Sequence, residues 1–505
     1  MHSDSERIAR NAFFLYVRMA VIMLVTLFTS RVVLESLGID DFGIYNLVGG
    51  ISTFLGIISG IMSDATQRFI SFEIGQGTPG GVGRVFSTSI LLHIIIAIIT
   101  VLIAEPFGMW LLENKLMIPE ARMDAAFWVF QISLISFFVT IVTTPFNALI
   151  ISYERMDVFA YISVIDAVLR LAIAASVKYS ANDKLIVYAI LMAVCQVCIC
   201  AFYFIYCSLK LSFVKFKFAT DMSLIKEMGA FAGWTIFGNA SFLCYTQGIN
   251  LLLGSFFAPV VSAARGISVQ VQGAASSFVR NFQLAVNPPI TKCYAAGHYS
   301  EMYSLLYSSS RVSYYLLVVL LIPLIFETEE ILQLWLNDVP RYSADFIRVM
   351  LISQLFITLR NPIEMSIKSS GNIKLFEICV SSLGLMSVPL AYVFLKLGCD
   401  AVSVFEVLLF LDALSLLLSY VVAKKIIGFD IRKYCLQVLA KVILVTVLIL
   451  IAPLIAFLTL ESGLLRLMLQ IFVSVPLAVL IIFMFGLTSQ ERDFVRKFFR
   501  RPQNG

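Results

Sequence analysis

A chain of 505 residues that is 60% hydrophobic, only 14% charged and +0.92 in mean hydropathy lies far outside the range of water-soluble domains, where about a quarter of residues are charged. Its net charge of +5 sits in short connections and a basic tail, which reads as a membrane-topology signal and not as a nucleic-acid surface. No segment remains that would fold as a sizeable aqueous domain.

The polar stretch from Met1 to Asn11 precedes an apolar run too long for a signal-peptide core, so the first helix is expected to be retained. Apolar windows then predict spans over 12–37, 43–67, 85–110, 122–149, 158–179, 185–209, 227–254, 259–285, 307–327, 344–368, 374–396, 402–426, 436–459 and 464–487. The fold class is an all-α polytopic membrane protein with about fourteen transmembrane helices. Lys and Arg concentrate in Lys210 to Lys226, in Lys424 to Lys433 and in the tail from Glu491 to Arg501, which places both termini in the cytoplasm.

Ionisable and amide side chains inside these spans mark a polar path, because each costs a few kcal/mol in hydrocarbon. In the first two spans they are Arg18, Arg31, Asp64, Gln67 and Arg68. The seventh and eighth carry Gln247, Asn250, Arg265, Gln270, Gln272 and Arg280, and the eighth is too polar to face lipid on all sides. A cleft lined by arginines suits an anionic substrate, since guanidinium stays charged and matches phosphate oxygens in a two-pronged geometry. Loss of export is therefore expected for Arg31→Ala and for Arg265→Ala.

Asp166 with Arg170, and Arg360 with Glu364, are spaced one helical turn apart and can neutralise each other. Glu406 and Asp412 in the twelfth span have no such neighbour; with Asp166 and Glu364 they are the candidates for coupling to H+ or Na+. Pro362 falls within a span, and Pro288-Pro289 are expected to end one; all three are candidate hinges.

Thr29-Ser30-Arg31-Val32-Val33-Leu34-Glu35-Ser36-Leu37 lines up with Thr246-Gln247-Gly248-Ile249-Asn250-Leu251-Leu252-Leu253-Gly254, a repeat at roughly 220 residues. The domain division that follows is 1–216 and 217–435 as two six-helix bundles around a central cavity, with 436–505 supplying two further helices and a basic tail. The three His residues, His2, His93 and His298, complete no catalytic constellation, and no phosphate-binding loop, zinc-binding HExxH or nucleophile elbow occurs. No enzyme activity, cofactor or metal is expected.

The chain resembles the polysaccharide-transport branch, the O-antigen-type flippases, of the multidrug, oligosaccharidyl-lipid and polysaccharide exporter superfamily. The likeness rests on Thr29 to Leu34, Gly43-Ile44-Tyr45-Asn46-Leu47-Val48-Gly49-Gly50, Ala65-Thr66-Gln67-Arg68-Phe69, Ala263-Ala264-Arg265-Gly266, Asn287-Pro288-Pro289 and Ser370-Gly371-Asn372. It implies an inner-membrane flippase that moves an undecaprenyl-pyrophosphate-linked oligosaccharide to the periplasmic leaflet by alternating access, alongside a polysaccharide polymerase. The alternative is an ion-coupled multidrug or small-molecule exporter of the same superfamily, which should prefer acidic and aromatic walls. A membrane glycan polymerase is disfavoured, because the outer loops are too short to hold catalytic groups.

Overall fold

A computed structural model describes residues 2–78, 80–114, 118–211, 221–336, 338–489 and 491–493. Much of the basic loop (212–220) and of the basic tail (494–505), both read above as topology signals, lies outside the described residues. Long apolar sequences with no water to satisfy their backbone groups must bond internally, and the chain does so as helices. They are α1 (His2–Leu37), α2 (Ile39–Gln76), α3 (Gly81–Asn114), α4 (Met123–Ser152), α5 (Met156–Val177) and α6 (Lys184–Lys210). α7 runs over Met222–Leu243, passes a π-helical turn at Cys244–Gly248 and continues over Ile249–Phe256. Then follow α8 (Pro259–Ala295), α9 (Tyr299–Phe326), α10 (Ser343–Ser370), α11 (Lys374–Lys396), α12 (Ala401–Ile427), α13 (Ile431–Thr459) and α14 (Leu464–Gly486).

Each predicted span coincides with one of these helices, and eleven helices among the described residues are long and apolar enough to cross a membrane. α2, α7 and α8 complete the fourteen; α7 is divided by its π turn, and α8 carries Arg265, Gln270, Gln272 and Arg280 along its length. The helices extend past the predicted windows by up to several turns, because an apolar window reports only the part matched to hydrocarbon. One boundary differs in kind. α8 does not stop at Pro288-Pro289 but continues through both to Ala295. The turn missing two N–H donors is held by side-chain packing, with Val286 and Ile290 buried against Met302.

Residues Arg10–Gly233 form one compact unit, and Trp234–Gly505 together with Met1–Ala9 form the other. In the first, α4 is the central helix: Val129, Phe130, Ile141 and Leu149 are buried along it. Ser71 on α2 donates to Ser152 at the end of α4 (3.0 Å), which donates in turn to the Gln67 carbonyl (3.2 Å). Small hydroxyl side chains allow close helix approach and bond across the contact, which suits a membrane interior.

The second unit has the same device. Thr291 on α8 meets Ser369 at the end of α10 (2.9 Å), so the pair recurs at an offset of about 220 residues in both members. Core packing here centres on α10 and α12, where the Phe346 and Phe405 rings stand 4.2 Å apart. α13 is docked by Tyr434, fully buried among Tyr307, Tyr420 and Phe429. α14 is tied to the chain just beyond α9, where Arg466 lies 2.8 Å from Glu327 and 3.2 Å from Glu330.

Asp183 caps α6, accepting from the N–H groups of Leu185 and Ile186. Arg122, ahead of α4, bridges it to Asp41 at the start of α2, with contacts of 2.5 Å and 2.6 Å. The Arg122 guanidinium holds the Asp183 carboxyl below the usual carboxylate range. A depressed folded-state value contributes stability above the unfolded value of about 3.9, and that stability is lost as pH falls through the folded value. Thermal unfolding of the purified protein should therefore be insensitive to this group from pH 5 to 8. Arg122→Leu should cost about 1–3 kcal/mol there and flatten the acid limb below about pH 4. An unchanged acid limb in Arg122→Leu would show that the bridge contributes nothing.

Candidate functional site

The most developed polar centre lies in the Trp234–Gly505 unit, where α7, α8, α10 and α12 all contribute groups. Asp412 on α12 is 7% exposed. It accepts hydrogen bonds from Tyr245 Oη (2.8 Å) and from Ser353 Oγ on α10. Among the described residues it has no Lys, Arg or His within salt-bridge distance. Tyr245 reaches it from the π turn of α7, a local widening of the helix that recurs at functional sites. The same turn is held from α8: Arg265 donates to the Thr246 carbonyl (2.7 Å), its guanidinium 5.6 Å from the Phe405 ring. Arg265 is buried, and its Nε has no partner.

A second layer extends this centre along α8 and α10. Gln272 bonds Gln354 (3.3 Å), and Gln283 accepts from Asn361 (3.2 Å). Toward the end of α10, Glu364 pairs with Lys368 (2.8 Å) and stands 3.9 Å from Arg360. Glu377, in the π turn of α11, is buried and accepts from Ser381. Pro362 lies within this stretch of α10 and Pro288 and Pro289 within α8; each helix remains continuous.

The remaining predicted positions do not converge. Arg31 on α1 is 79% exposed and bonds Glu35 one turn on at 2.9 Å, so its charge is already answered. Arg18 is half-buried over the Phe159 ring at 4.5 Å. Arg68 is buried, with its guanidinium over the rings of Phe69 (4.5 Å) and Phe72 (4.8 Å). Gln67 is buried beside it, and Asp64 is exposed. Asp166 accepts from Arg170 at 2.8 Å, and Arg170 also bonds Gln196.

In the second unit Gln247, Asn250, Gln270, Arg280 and Glu406 are all exposed. Among the described residues Arg280 donates only to Ser277, and it lies fifteen residues along α8 from Arg265, roughly 22 Å at 1.5 Å per residue. The arginines thus do not form one cationic wall within either unit. Tyr245, Ser353 and Phe405 were not anticipated: Tyr245 adjoins the repeat motif at Thr246, while Ser353 and Phe405 carry no distinguishing sequence signal.

Because Arg31 is paired and exposed, Arg31→Ala should leave transport within about twofold of wild type and change stability by under about 1 kcal/mol. Arg265→Ala should remove most transport. Side-by-side efflux assays of the two variants at matched expression check this; equal loss in both would restore the paired-arginine expectation.

These features define a polytopic α-helical membrane protein built on an internal duplication, with a polar centre embedded in its spans. The MatE family model matches residues 15–175 and again 234–393, copies beginning about 220 residues apart. The chain belongs to the MatE family, and it is a transporter rather than an enzyme. No curated protein matches it. Among solved structures it is similar to a mutant MATE (12% identity, TM-score 0.73) and to an outward-facing multidrug resistance MATE transporter of the MOP superfamily (12%, 0.70). A third is a MOP superfamily transporter from Pyrococcus furiosus, described as having a binding pocket of reverse polarity that suggests a different function (14%, 0.70). Each similarity covers 84% of this chain and 96% of the other. At these identities the likeness shows the fold alone.

Proposed function

We propose that this chain is an ion-coupled exporter of small organic molecules that works by alternating access, with Asp412 as its coupling carboxylate. The observation that carries the reading is the setting of Asp412: a carboxylate buried in a span, bonded among the described residues by hydroxyl groups and linked through the Cys244–Gly248 turn to Arg265 and its Phe405 contact. Acidic and aromatic surroundings are what the exporter alternative required. A carboxylate without a salt bridge can exchange H+ or Na+ as its surroundings open and close. The domain pattern proposed with it is 1–216 and 217–435 as bundles, with 436–505 as an added pair of helices.

A second reading keeps the flippase: translocation of an undecaprenyl-pyrophosphate-linked oligosaccharide across a bacterial inner membrane, both termini cytoplasmic, with a polymerase downstream. The buried, unsatisfied Nε of Arg265 favours it, as a donor available to an anionic group. One pair of measurements separates the two. Gradient-driven uptake of a fluorescent organic cation into everted vesicles, with lipid-linked glycan unchanged on gene deletion, supports the exporter. No uptake, together with complete glycan units accumulating on the cytoplasmic face after deletion, establishes the flippase.

A further inference from the structure

The Arg10–Gly233 unit contains an apolar groove that the transport reading does not use. It holds about 750 Å³ between α3, α4 and α6, within the size range of small-molecule sites. Its walls include Phe86, Val142, Phe146, Ala201 and Phe204, and no residue of α1 or α2 lines it. Phe86, Phe146 and Phe204 form an edge-to-face ladder with centroid spacings of 5.4 Å and 5.9 Å, which fixes the wall as a shaped surface.

The position of the groove along the helices is the second observation. It takes in the opening turns of α3 and the closing turns of α4 and α6, so it lies at one membrane end of the unit. On α6 it reaches from Val197 to Leu211, about 21 Å at 1.5 Å per residue, and on α4 from Phe138 to Leu149, about 17 Å. Half of a hydrocarbon core is about 15 Å, so the groove is as deep as one leaflet. A cation flanks its end in sequence. Lys210, in the last turn of α6 next to the lining residues Ser208 and Leu211, is exposed and has no ion-pair partner among the described residues. The neighbouring arginines are engaged, Arg84 with Glu73 and Asp221, and Arg155 with Asp157.

We propose that this groove is a resident lipid site: one acyl chain of an anionic phospholipid lies in it, with the phosphate at Lys210. Apolar depth matched to a leaflet and an exposed cation in the turn that ends the groove are complementary to that molecule, and burying the chain removes it from bulk lipid into contact with a fixed wall.

The test is native mass spectrometry of the full-length protein purified in detergent and supplied with phosphatidylglycerol or phosphatidylethanolamine. Wild type should retain one phosphatidylglycerol per chain. Ala201→Trp, which fills the groove from an exposed position, should lower retention at least tenfold, and Lys210→Glu should reduce the preference for phosphatidylglycerol about fivefold. A second measurement needs no variant: phosphatidylglycerol with a photoactivatable acyl chain should label residues 138–149 and 197–211 of the unaltered protein above all other helices. No retained lipid, labelling spread evenly over the helices, or displacement by a transported organic cation would each overturn the proposal. The last outcome would make the groove part of the substrate path.

Discussion

Replacing Asp412 with Asn should abolish gradient-driven transport, by more than tenfold, in a protein that remains inserted and folded. The change keeps the shape of the side chain and an oxygen to accept from Tyr245 and Ser353, but removes the charge that a proton or sodium ion would answer. Ser353→Ala removes one donor and leaves the carboxylate, so it should lower transport by a smaller factor. Glu406→Gln, at an exposed position on the same helix, should change little. The measurement is dye accumulation in everted vesicles under imposed proton or sodium gradients, at matched protein levels. Full activity in Asp412→Asn would remove the coupling assignment outright.

The second large effect is on stability. Arg466 lies 8% exposed against Glu327, which is wholly buried, and it also reaches Glu330. Both carboxylate oxygens of Glu327 accept from Arg466 Nε, at 2.8 Å and 3.0 Å, while its guanidinium sits 4.7 Å from the Phe457 ring. Arg466→Leu leaves two carboxylates facing each other without a cation, and removing one partner of a buried pair costs about 3–5 kcal/mol. Exchanging both charged partners, as Glu327→Gln with Arg466→Leu, should recover a large part of the loss. Thermal unfolding of purified wild type, single and double variants gives the comparison; a single-variant loss under about 1 kcal/mol would show the pair to be inconsequential.

The helices were legible in the sequence because their signal is simple: runs of apolar residues long enough to cross hydrocarbon, broken by charge and glycine. The duplication was legible at Thr29 and Thr246, and the two family matches begin at the same spacing. Asp412 stood out because a lone carboxylate in an apolar run is conspicuous by composition alone. Its partners were not legible: Ser353 and Tyr245 are ordinary membrane residues until three helices bring them together. Arg31 drew notice by its charge, while its ion-pair partner Glu35, one turn away, was in the same quoted segment.

Gln247 and Asn250, read as part of a polar path because amides are costly in hydrocarbon, are both exposed. The π turn at Cys244–Gly248 resets the direction of the residues that follow, because one additional residue in a turn advances everything beyond it by about 100°. Further such turns occur at Glu377–Ser381, Cys435–Leu439, Gln470–Ser474 and Ile482–Gly486, all in the second unit. The two halves of this duplicated chain have therefore drifted apart in angular phase as well as in residue identity. A residue matched across them by position can point in a different direction, and deleting a single residue from the Cys244–Gly248 turn would rotate Ile249, Leu252 and Leu253 out of the core they now share.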